Sequence, residues 1–94
     1  MDYKTPSTRY IPLSNTCTQL PVVLIDSKAP LKDLHAFADL RFRQATAFLD
    51  SLAHMRPGDV DDRDLSAMAS QAYALMQEGC DVNQVIERRL AESC

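Results

Sequence analysis

The residues with catalytic or ligating potential are few and scattered: His35 and His54, Cys17, Cys80 and Cys94, and the carboxylates Asp59, Asp61, Asp62 and Asp64. The two histidines stand 19 residues apart in a segment that reads as one helix. That spacing is about 28 Å along the axis, so they cannot form a proton-transfer dyad within one chain. The cysteines are 63 and 14 residues apart with no Cys-x-x-Cys pair, which gives neither zinc-ligand spacing nor a disulfide scaffold. Cys80 near a helix start has the position of a reactive thiol, but no base or oxyanion donor accompanies it. The aspartates come nearest to a calcium loop. Counted from Asp59 or Asp61, however, that loop puts Ser70 or Ala72 where a bidentate Glu is required, and it has no central glycine. Gly-rich phosphate loops, Gly-x-Ser-x-Gly and His-Glu-x-x-His are all missing from a chain with only two glycines. The reading is a protein without catalytic residues, cofactor or metal.

Charge bears on the partners. Ten Lys and Arg against thirteen Asp and Glu give a net charge of −3, without the cationic excess that neutralising phosphates requires. The acidity is concentrated: residues 57–94 carry +3 and −8, and the Asp59, Asp61, Asp62 and Asp64 run is a candidate acidic contact. A helix-turn-helix could be drawn from a turn at Gly79-Cys80-Asp81, with Asn83, Gln84, Arg88 and Arg89 as readers. Glu78, Asp81, Glu87 and Glu92 surround those arginines and would repel each phosphate, so nucleic acid is not the expected ligand.

What must position any contact is helical. Residues 1–20 read as an extended or flexible arm with no helical period and with prolines that would interrupt sheet pairing. Val22-Val23-Leu24-Ile25 is a β-branched run long enough for one short strand, either lying over the domain's own core or pairing with another chain. Pro30 suits a first helical turn, and Asp33 favours the positive end of a helix. From there Leu31, Leu34, Ala38, Ala45, Phe48, Leu52 and Met55 recur at 3-4 spacing, widened by Phe37, Phe42 and Leu49. Arg41 falls on that seam. Either the apolar stripe drifts past it towards Phe42, the reading preferred here, or Arg41 pairs with an acid across an interface.

Pro57-Gly58-Asp59 is turn chemistry, followed by a second helix carrying Leu65, Met68, Ala69, Ala72, Leu75 and Met76 at core spacing. Gly79 sits where a helix could be capped, with a short third stretch through Val82, Val85, Ile86 and Leu90 beyond it, although the apolar phase can also run straight through. The preferred reading breaks the helix at Gly79.

The fold expected is all-α: a long helical hairpin over about residues 30–55 and 62–78, then a C-terminal helix or helix extension over 82–92. Residues 21–94 make a single helical domain. With 94 residues, 46% of them apolar, the chain suits one soluble domain and has no membrane-spanning run. It hides only about 60–65% of its unfolded surface. A two-helix hairpin has no closed core, so a dimeric four-helix bundle is the simplest completion. Val23, Ile25, Leu34, Phe37, Arg41, Phe42, Phe48 and Leu52 are the candidate interface.

The short extended 22–25 segment, Ala29-Pro30-Leu31-Lys32-Asp33-Leu34, the long helix and the Ala/Leu/Met-rich second helix resemble small bacterial helical-hairpin proteins of unknown function. The resemblance covers residues 22–78 and brings no catalytic residues. It implies a compact, dimeric hairpin in a bacterial cytoplasm. The expected role is a non-enzymatic protein–protein interaction or regulatory module with an unknown protein partner. The alternative is an inhibitor of the kind phages or mobile elements encode, whose acids would face a basic site on a host complex.

Overall fold

The computed structural model describes residues 9–14, 18–56, 58 and 61–92. Pro30 starts helix α1, Leu31–Ala53: its carbonyl accepts the Asp33 and Leu34 N–H groups at 2.9 and 3.1 Å, and Asp33 lies in the first turn. The helix stops at His54, and Gly58 follows with φ +92°, a left-handed conformation that suits glycine. Asp61 Oδ1 then accepts the Asp64 N–H at 2.9 Å, capping helix α2, Asp62–Glu92, with Asp62 and Asp64 in its first turn.

The helix does not break at Gly79. α2 runs 31 residues without interruption, about 46 Å. A Cβ built on Gly79 would lie 2.7 to 3.0 Å from three ring atoms of Phe42. The glycine therefore allows close approach of the two helices, and the expected cap was a misreading of that role. Val82, Val85 and Ile86 beyond it supply enough burial to hold the ladder together.

α1 and α2 pack antiparallel as a hairpin. At one end a two-stranded strap lies over them: β1, Tyr10–Pro12, pairs antiparallel with β2, Leu24–Asp26, placing Ile11 opposite Ile25. The prolines of the arm do not prevent this pairing, because Pro12 sits on an edge strand where a missing N–H is tolerated. Strap and helices share one core of Ile25, Leu34, Ala38, Val82, Val85 and Ile86, flanked by Ile11, Leu13, Ala29, Leu31 and Phe42. At the other end only Ala45 and Ala72 are fully buried among the described residues.

Candidate functional site

The strap is fixed at both margins. Asp81, only 8% exposed on α2, accepts the Ser14 N–H at 3.0 Å on Oδ2 and the Ser14 hydroxyl at 2.9 Å on Oδ1. Gln77 Nε2, one turn earlier, donates to both Ser14 Oγ and Asp81 Oδ1, at 2.9 and 3.1 Å. A buried carboxylate with three donors is well satisfied, and it ties β1 to α2. On the other margin Arg9 grips Asp26 with two nitrogens at 2.8 and 2.9 Å. That contact first, and the Lys28 N–H at 3.0 Å second, hold the Asp26 carboxyl at about 2, well below its usual value, and the same pair raises Arg9. Arg89 donates to the Ala29 carbonyl, joining the end of α2 to the start of α1. The sequence shows Arg89 and Asp81 only as charges near the second helix's end, and nothing in it marks Ser14 or Gln77 as their neighbours in a strap. The available signal was a position: Asp81 is one residue before Val82 and four before Val85, inside an apolar phase.

Between strap and helices lies an open groove of about 540 Å³, walled by Leu13, Val23, Ile25, Leu34, Phe37 and Val82 and edged by Asp26, Asp33, Arg41 and Glu78. Arg41 Nε approaches Glu78 Oε1 at 2.9 Å, an ion pair whose N–H does not point along the contact. The guanidinium also stacks 4.7 Å from the centre of the Phe37 ring and donates to Gln44 at 2.7 Å. Phe42 packs against the core as stripe drift requires. Arg41 nevertheless stays at the margin of the seam, because Glu78 of the same chain meets it across the hairpin.

Of the candidate interface residues, Ile25 and Leu34 are buried in the core, Arg41, Phe42, Phe48 and Leu52 are half-buried along the hairpin, and Val23 and Phe37 are exposed beside the groove. The groove thus gathers Val23, Ile25, Leu34, Phe37 and Arg41 and leaves out Phe42, Phe48 and Leu52. Asp61, Asp62 and Asp64 are exposed at the start of α2, and Asp59 lies outside the described residues. The turn that a helix-turn-helix needs at Gly79-Cys80-Asp81 is interior helix, so Asn83, Gln84, Arg88 and Arg89 belong to the same helix as the residues before Gly79 and not to a separate recognition helix. Among the described residues no three His, Cys, Asp or Glu side chains gather as a metal site, and no helix is long and apolar enough to cross a membrane. No protein-family model, curated protein or solved structure matches this chain.

Proposed function

We propose that this chain is a non-enzymatic helical interaction module that pairs with a second copy of itself through the hairpin face opposite the strap, completing a four-helix bundle. The observation that carries the reading is a row of exposed apolar side chains on a hairpin only two helices wide: Leu49 50%, Leu65 45%, Tyr73 59% and Met76 40% exposed. Leu65 and Met76 are eleven residues apart, three helical turns, and so share a face of α2. Met76 stands about 140° and Leu65 about 160° around the helix from Asp81, which holds the strap, so these two face away from it, whereas Tyr73, about 80° from Asp81, lies to the side. The antiparallel register set by Arg41 and Glu78 brings Leu49 level with Ser70, between Leu65 and Met76 along α2. An isologous pair would cover Leu49, Leu65 and Met76 in both chains, with Tyr73 at the rim. The bacterial cytoplasmic setting rests on the resemblance over residues 22–78.

Light scattering tests the reading. The wild-type chain of 10.5 kDa is expected at about twice that mass. Met76→Glu combined with Leu49→Glu is expected at the single mass, with its far-UV helical signal kept, because both side chains are exposed in the isolated hairpin. A wild-type monomer, or a dimer that survives the double substitution, overturns it. The inhibitor alternative gains no separate support from Asp61 and Asp64, whose positions already serve the start of α2.

A further inference from the structure

We propose that the open edge of β2, with the groove beneath it, receives an extended segment of another protein that carries a basic residue and adds to the strap as a third strand. This rests on the reading of the chain as an interaction module, and not on its dimer face.

The strap ladder fixes which backbone groups are open. Leu13 N–H bonds the Val23 carbonyl at 3.4 Å and Ser27 N–H bonds the Arg9 carbonyl at 2.8 Å, with Ile11 opposite Ile25 between them. Residues 23, 25 and 27 therefore face β1, and Leu24 and Asp26 direct their N–H groups to the far side. The Asp26 carbonyl is taken by the Ala29 N–H at 3.1 Å, which leaves the Leu24 N–H and carbonyl and the Asp26 N–H on that edge.

The two edges of the strap differ. On β1 the far side holds Pro12, which has no N–H, and Ser14 beyond it is tied to Asp81. Such an edge is closed to pairing. On β2 no strand pairs with the far side among the described residues. Asp33, Phe37 and Arg41, spaced four apart on α1, run beside the groove, and Phe37 (39% exposed) with Val23 (53%) gives it apolar walls.

Charge names the occupant. Of the four charged side chains at the groove, Asp26 is paired with Arg9 and Glu78 with Arg41. Asp33 has no ion partner among the described residues. Asp33 lies in the first turn of α1, whose positive end offsets part of its charge, but the groove with Arg9 still carries one net negative charge beside an apolar trough, which favours an apolar segment with a Lys or Arg. The open backbone groups select an extended segment over a helix, whose own backbone groups are already paired.

The test is selection from a display library of random nonapeptides on the full chain, followed by titration of the winners as labelled synthetic peptides. The expected winners alternate β-branched or aromatic residues with polar ones and contain a Lys or Arg. Leu24→Pro removes the outward N–H while leaving the ladder to β1, and is expected to weaken binding at least about tenfold. Asp33→Lys is expected to weaken it by a similar factor, whereas Met76→Glu leaves it unchanged. Amide exchange on each variant verifies that β1 and β2 still pair. Winners with helical 3-4 spacing, acidic winners, no enrichment at all, or binding indifferent to Leu24→Pro each overturn the proposal. So does a wild-type dimer that Leu24→Pro converts to monomer, which would assign the edge to a second copy. A monomeric wild type that still selects basic strands would overturn the dimer face and leave the groove standing.

Discussion

The two ends of the hairpin use the same pair of helices in opposite ways. Where the strap lies, the first turns of α1 and the last turns of α2 bury Leu34, Val82, Val85 and Ile86 beneath Ile25, giving a third layer. Towards Gly58 the helices meet through Ala45 and Ala72, and Leu49, Leu65 and Met76 remain in solvent. One end carries the branched side chains that make a core, while the other closes fully only on the small residues Ala45 and Ala72 among the described residues and leaves Phe48, Leu52, Met68 and Leu75 half-buried. Cooperative stability therefore belongs to the strap end.

The largest expected effect breaks this contrast directly. Ile86→Ala, at 2% exposure, should lower unfolding free energy by about 2–5 kcal/mol, enough to unfold much of a domain this small. Leu49→Ala in the Met76→Glu background should change it by no more than about 0.5 kcal/mol. Urea denaturation followed by the helical signal compares the two, and equal losses would show that both ends are core.

At the junction between the ends, Phe42 against Gly79 sharpens the comparison. Gly79→Ala should destabilise the native chain, because the new methyl displaces a ring packed on the core. In a Phe42→Ala background the same change should stabilise by up to about 1 kcal/mol, the ordinary helix-propensity gain. The double-mutant cycle reads the reversal of sign. A gain of stability in both backgrounds would mean that close packing has no part in keeping a glycine there.

The helices were legible because their apolar spacing, the proline start and the aspartate-rich second start are local signals: α1 falls close to its expected bounds and α2 starts at the expected residue, but α2 runs to Glu92 where the preferred reading ends it near 78. Gly79 was misread because its neighbour Phe42 is 37 residues away in sequence, and a glycine required by a crossing looks the same in one dimension as a glycine required by a cap. The strap pairing rests on Ser14, Asp81, Arg9 and Asp26, polar residues whose partners are also distant. Periodicity carries no trace of such pairs. The groove was legible as its residues, Val23, Phe37 and Arg41, but not as a cavity, since its roof is the strap.

Asp81→Ala should free the strap more than it harms the helices. It removes the acceptor of both Ser14 bonds, at a cost of about 1–3 kcal/mol. Amide exchange should rise at Ile11 and Leu13 first, with the middle of α1 still protected. Uniform loss of protection would make Asp81 part of the global core and erase the distinction between strap and hairpin.

The smallest effect separates the two margins of the strap itself. Asp26 is ionised in the fold down to about pH 2 because Arg9 and the Lys28 N–H hold its charged form, whereas an unfolded aspartate protonates near its usual 3.8. A lowered folded pKa means that the contribution is complete above the unfolded value and declines as pH falls through the folded one. The Arg9 margin should therefore be intact at pH 5, weaken below about 4 and be gone below about 2. Both groups are solvent-accessible, so the change should be a local loosening, reduced in high salt. An acid titration of the Tyr10 and Ser27 amide signals, repeated in Asp26→Asn, isolates it. If Asp26→Asn shows the same acid loosening, the pair does not hold the strap, and the whole grip must be assigned to Ser14 and Asp81.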